Sequence, residues 1–134
     1  MGETIAVGST DAYVATPELG AGPAVLVITE PGDVERRQRV CDEFAVEGFT
    51  ALAPELRNGH TGGDLAAAIR FLKPHPDVRG QGIGVVGFGG GGQLAEWLGA
   101  NRPDDVVAVV SFDETEDERL VWIRTLEYLR KHLG

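Results

Sequence analysis

The chain has 134 residues, 43% hydrophobic and 25% charged, with a formal net charge of −9. This is the length and balance of one soluble globular domain, which buries about two-thirds of its unfolded surface. The acidic excess excludes a nucleic-acid binder that neutralises rows of phosphates, and no apolar run approaches the roughly 18 residues of a membrane span.

The opening Met1-Gly2-Glu3-Thr4 has neither a basic region nor a long apolar stretch, so no secretory signal is expected. The single Cys41 allows no internal disulfide, and a cytoplasmic location is expected.

In chain order, Thr4–Val7, the turn Gly8-Ser9-Thr10 and Asp11–Ala15 read as a hairpin. Ala24–Ile28 (AVLVI) is a continuous apolar run of strand length, the pattern of a strand covered on both faces. A helix follows over Val34–Val46, with Val34, Val40, Cys41, Phe44 and Ala45 near one face and Glu35, Arg36, Arg39 and Glu43 pointing away. Gly48 stops it, and Phe49–Ala53 is the next strand. The polar stretch Pro54–Gly63 leads to a helix over Asp64–Leu72, with Asp64 as N-cap and Leu65, Ala68, Ile69 and Leu72 as its buried stripe. Pro74 and Pro76 end that helix. Ile83–Gly87 is a third core strand, followed by a glycine run and a helix carrying Leu94, Ala95 and Leu98. Val106–Ser111 is a fourth. The acidic stretch Asp113–Glu118 opens a last helix, Glu118–Leu133, with Trp122, Leu126, Leu129 and Leu133 on one stripe. Thr115 with Glu118 reads as a capping box. Strands alternating with helical crossovers predict one α/β domain over residues 1–134, a three-layer sandwich around a mainly parallel sheet with an N-terminal hairpin.

The turn Gly87-Phe88-Gly89-Gly90-Gly91-Gly92 after the third core strand has three readings. A hydrolase elbow, G-x-nucleophile-x-G, finds both flanking glycines in Gly87 and Gly91, but Gly89 stands where the nucleophile belongs. A dinucleotide fingerprint, G-x-G-x-x-G, is met by Gly87, Gly89 and Gly92, with Asp113 26 residues beyond Gly87 for a ribose hydroxyl. The third reading is close packing of helix on strand. In any of them, N–H groups at a helix start attract an anion.

Several segments together resemble the dienelactone hydrolase family of α/β-hydrolases. These are Ala12-Tyr13-Val14-Ala15-Thr16-Pro17, then Pro23 through Ile28 with Thr29-Glu30, and Glu47-Gly48-Phe49 through Pro54-Glu55-Leu56. The elbow Val85-Val86-Gly87-Phe88-Gly89-Gly90-Gly91 and the closing helix from Trp122 to Leu133 complete the pattern. The resemblance implies a truncated α/β-hydrolase fold, with Glu30 at the place of a retained site residue. It also implies losses. The family's nucleophilic Cys is Gly89, and the strands and loops that carry its Asp and His have no counterpart between Val106–Ser111 and the closing helix. His132 belongs to that helix and is not the triad His. Pro31, which has no N–H, stands where one oxyanion donor is expected, leaving the Gly90 N–H.

Ligands of open α/β sheets bind beyond the carboxyl ends of the strands. Those ends carry Glu30, Glu55, the glycine turn and Asp113, with Arg57 and His60 on the loop after the second core strand. Glu30 has two readings: it simply faces solvent after its strand, or it is the expected proton carrier, which burial beside apolar walls would suit by raising its pKa. Gly89 and Gly90 are expected to hold developing negative charge, with Glu55, Arg57, His60 and Asp113 in ligand contact. Glu55 and Asp113 also have structural readings, as a loop anchor and as part of a helix start, and Arg57 and His60 read first as an exposed loop pair. Cys41 reads as a buried structural thiol, and Trp97 and Trp122 as core or interface residues. No metal-ligand spacing is present, and no metal or cofactor is expected. These residues predict non-hydrolytic acid/base chemistry, such as isomerisation, cyclisation, dehydration or lyase cleavage, on a small organic ligand. A non-catalytic ligand- or partner-binding module and a dinucleotide binder are the alternatives. The apolar strand Val106–Ser111, left at a sheet edge, predicts a homodimer.

Overall fold

The computed structural model describes residues 2–18, 20–30, 32–57, 59–74, 78–112 and 118–133, without the side chains of 78–81 and 118. Ten elements follow in chain order: β1 (Gly2–Val7), β2 (Thr10–Ala15), β3 (Gly22–Ile28), α1 (Val34–Val46), β4 (Thr50–Pro54), α2 (Thr61–Leu72), β5 (Val78–Phe88), α3 (Gly91–Asn101), β6 (Val106–Phe112) and α4 (Glu118–Leu133).

The unbroken apolar run of β3 has its cause in the sheet, whose order is β1-β2-β4-β3-β5-β6. Parallel partners β4 and β5 flank β3, and helices cover both its faces. Successive side chains point to opposite sides. Leu26, Ile28 and Val85 pack with Leu65 and Ile69 of α2 and Leu98 of α3. Val25, Val27 and Val86 pack with Val40 and Phe44 of α1 and Leu126 and Leu129 of α4. The expected three layers are therefore present, with β1 and β2 adding an antiparallel hairpin at one edge. No helix among the described residues is long and apolar enough to cross a membrane.

Gly84 sets how closely α4 approaches the sheet, because a Cβ there would lie 2.8 Å from Leu129 Cδ2. At the far edge, β5 and β6 pair Ile83 with Val106 but Gly84 with Ala108, so Val107 is the extra residue of a bulge.

Some local expectations are corrected. The hairpin turn is shorter than predicted, since Thr10 pairs with Val7. Val34 is 47% exposed rather than on the buried face of α1, and Trp97 is 49% exposed on α3. The predicted capping box begins at Thr115, outside the described residues. Asp64 is not an N-cap: α2 starts three residues earlier, with His60 at that position. The Asp64 side chain is instead buried in the first turn, 2% exposed. Its carboxylate accepts the Arg57 backbone N–H at 3.0 Å and Arg57 Nη2 at 2.7 Å. A tertiary partner thus took the residue that local capping rules assign to the helix start.

Hydrogen bonding by Arg57 holds the Asp64 carboxyl below its ordinary value of 3.8. The unfolded chain therefore takes up the proton first, so the pair's stability is complete above the ordinary carboxylate range and is lost as pH falls through the folded value. Urea titrations should show the wild-type midpoint falling more steeply than that of Asp64→Asn between about pH 5 and pH 3. At neutral pH, Leu129→Ala should cost about 3 kcal/mol of unfolding free energy. Ile123→Ala, at an exposed position of the same helix, should stay within about 0.5 kcal/mol.

Candidate functional site

The chain leaves β5 at Phe88, turns through Gly89 and Gly90, and enters α3 at Gly91. Gly89 has φ +57°, the left-handed region that side chains resist. A Cβ at Gly87 would strike the Gly91 carbonyl, and one at Gly91 would strike the Ile28 carbonyl. These glycines let α3 seat directly on β3 and β5. The close-packing reading therefore holds, whatever else the turn does.

The Gly90 N–H donates to Glu30 Oε1 at 2.9 Å. Glu30 lies just after β3 and is exposed, which agrees with the solvent-facing reading and not with enclosure by apolar walls. Of the residues predicted from sequence, Arg57 and His60 meet within one loop, where the His60 N–H donates to the Arg57 carbonyl at 3.0 Å, while Glu30 and Gly90 are brought together from distant parts of the chain. Their contact changes what each can do. The N–H expected to hold a ligand's developing charge already holds a carboxylate of the chain, at a helix end whose dipole favours negative charge. Beside them, Gly89 N–H donates to the Phe112 carbonyl at 3.3 Å, and Ser111 Oγ donates to the Gly92 carbonyl at 3.2 Å.

The remaining candidates are not gathered around this contact. Glu55 anchors the hairpin to the end of β4: its N–H donates to the Asp11 carbonyl and its carbonyl accepts Thr10 Oγ1 at 2.7 Å. Its side chain is exposed, 4.0 Å from the guanidinium of the buried Arg37. Arg57 is engaged with Asp64, and His60 is exposed at the start of α2. Asp113 and Pro31 lie outside the described residues. Cys41 is buried as expected, and burial, with a further push from Asp42, raises its thiol far above the ordinary value. A thiol so placed stays protonated and is no nucleophile.

Two clefts accompany the site. One of about 120 Å³ lies over the hairpin, lined by residues including Tyr13, Arg37 and Glu55. The other, about 330 Å³, lies between α1 and α4 at the ends of β5 and β6. Arg39, Val40, Glu43, Phe88, Phe112, Arg119 and Trp122 line it. Neither Glu30 nor Gly89 lines either cleft. Sequence reasoning passed over Phe88, Phe112 and Arg119. The usable signal was an aromatic residue at the carboxyl end of each of the last two strands.

Residues 10–64 match the model of the dienelactone hydrolase family, and residues 65–118 match that of the BAAT / acyl-CoA thioester hydrolase C terminal. The chain is 31% identical over 126 residues to "Protein usf" of Aquifex pyrophilus and 30% identical over 126 residues to the "Putative carboxymethylenebutenolidase" of Aquifex aeolicus (strain VF5). Each match covers 75% of this chain and 54% of the relative, so the chain spans about half the length of these curated relatives. Among solved structures, the "Putative Dienelactone Hydrolase from Klebsiella pneumoniae subsp. pneumoniae MGH 78578" superposes with a TM-score of 0.69 at 20% identity, covering 88% of this chain and 63% of the other. That likeness establishes the fold. In its sequence the chain is thus similar to the dienelactone hydrolase family over residues 10–64 and to about half the length of these curated relatives.

Proposed function

We propose that this chain is a non-hydrolytic relative of that family, one that holds a small organic ligand without forming a covalent intermediate. The observation that carries the proposal is the state of the elbow. Gly89 offers no attacking atom, and the adjacent N–H is bound to Glu30. Acyl transfer by a triad needs a nucleophile, a base to activate it and N–H donors aimed at the oxyanion. Losing the nucleophile removes the covalent step. An occupied donor removes stabilisation of a tetrahedral intermediate besides.

A second reading keeps chemistry, with Glu30 as proton carrier for isomerisation, cyclisation, dehydration or lyase cleavage. Its support is that Oε1 is anchored by Gly90 while the residue as a whole remains exposed, which positions a carboxylate within reach of a ligand proton. This reading stands second because an enolate formed there would have to share or displace the donor that Glu30 holds. A dinucleotide at Gly87–Gly92 meets a sharper obstacle, since its pyrophosphate would face the Glu30 carboxylate.

A fluorophosphonate probe and a p-nitrophenyl ester test the first reading together. The expected outcome is an unchanged intact mass and no burst of p-nitrophenol. A single acylated or phosphonylated residue in the mass spectrum would overturn it. The second reading expects solvent deuterium to enter members of a panel of unsaturated and keto acids in D2O, and Glu30→Gln to abolish the exchange. Exchange that survives the substitution removes Glu30 as the carrier.

A further inference from the structure

We propose that the cleft between α1 and α4 binds a small amphipathic anion, an apolar ring or branched body bearing a single carboxylate. The floor is aromatic. Phe88 and Phe112 end neighbouring strands at paired positions, and their rings stack with centroids 4.5 Å apart and planes 19° from parallel. Trp122 forms a wall, itself fixed by packing on Phe44 at 4.6 Å between ring centroids. Val40 completes the apolar part. Phe88 and Phe112 are 4% and 6% exposed, so the pair is a firm base and the partly exposed Trp122 supplies the apolar surface that a ring would cover.

The rim is charged and carries guanidinium groups. Arg39 enters from α1 and Arg119 from α4, while Arg36 places its guanidinium 5.6 Å from the Phe88 ring centroid. Arg36 is also paired with Asp33 at 3.6 Å, so Arg39 and Arg119, which line the cleft, are the groups offered to a carboxylate. All three make further contacts within the protein, and five N–H donors on each guanidinium still allow a carboxylate to be held as well. Glu43, on the same wall, opposes a second negative charge. The two signs together select a monoanion.

Size agrees. About 330 Å³ falls at the lower end of the range for small-molecule pockets, whereas the cleft of about 120 Å³ is too small for a ring compound. The proposal rests on the reading of this chain as a ligand holder, and it gives that reading a place and a chemical class away from the elbow.

The test uses the full chain with Trp97→Phe, which leaves Trp122 as the reporting fluorophore, and 2-naphthoate as probe. Saturable quenching by naphthoate is expected, with the uncharged 2-naphthamide binding at least about tenfold more weakly. Arg39→Gln and Arg119→Gln should each raise Kd for naphthoate by about tenfold, while far-UV circular dichroism stays unchanged. Equal affinity for naphthoate and naphthamide overturns the proposal without reliance on any arginine variant. So does the absence of saturable quenching up to about 10 mM, or an unchanged Kd in both folded arginine variants. Acylation of the chain by the ester probe with naphthoate binding intact would sink only the non-hydrolytic reading. Loss of discrimination without acylation would sink only this one.

Discussion

The rest of the molecule depends on the distance between the start of α3 and the end of β3. Gly91 lies so near the Ile28 carbonyl that no Cβ fits between them, and Gly87 has the same relation to Gly91. This approach brings the positive end of the α3 dipole to the loop after β3. A carboxylate on that loop is then drawn to the free N–H groups of the helix, and Glu30 closes on Gly90. Gly87 and Gly91 answer to backbone packing, and Gly89 to its left-handed φ. That packing does not depend on which residue stands at position 89, and a glycine-rich elbow alone does not identify a hydrolase.

Among the described residues β6 is the outermost strand, and glycines set how closely helices pack beside it. Gly84 admits Leu129 on one face, while Gly99 admits Val109 on the other. What remains open is the outer side of β6, a strand of mostly apolar residues with Val107 43% exposed. An edge of this kind invites pairing with another strand, and the bulge at Val107 interrupts the row of groups such a strand would meet. The carboxyl ends of β5 and β6 are aromatic, and Phe112 stacks on Phe88 at the base of the cleft.

The architecture was legible because it is written in local patterns. Ala24–Ile28 declared a doubly covered strand by lacking alternation, and Val34–Val46 and Glu118–Leu133 coincide with α1 and α4 at both ends. The site was less legible because its contacts join distant residues. Asp64 satisfied the local signature of an N-cap, yet its partner is Arg57 on the preceding loop, and capping rules contain no term for such a pair. Glu30 was found through its position in the family pattern, and that position does not reveal a bond to a residue 60 places away. Arg39 read as a solvent-facing position of an amphipathic helix. Its place on a cleft follows only from the packing of α4 beside α1, which no periodicity within either helix encodes.

The two ends of this story carry opposite electrostatic preferences. At the elbow, an incoming anion would have to displace Glu30 and break a charge-assisted hydrogen bond, exchanging one negative group for another with little net gain. In the cleft, an anion meets guanidinium groups over an aromatic floor, and the ring it carries leaves water as the charge is paired. Both places lie at the carboxyl end of the same sheet, and Phe88 adjoins Gly89 in the chain, so a ligand diffusing to that end is repelled from one and attracted to the other. Long-range charge acts before contact, and contact then decides by shape. The same carboxylate that closes the elbow would thereby direct an amphipathic anion to the face between α1 and α4.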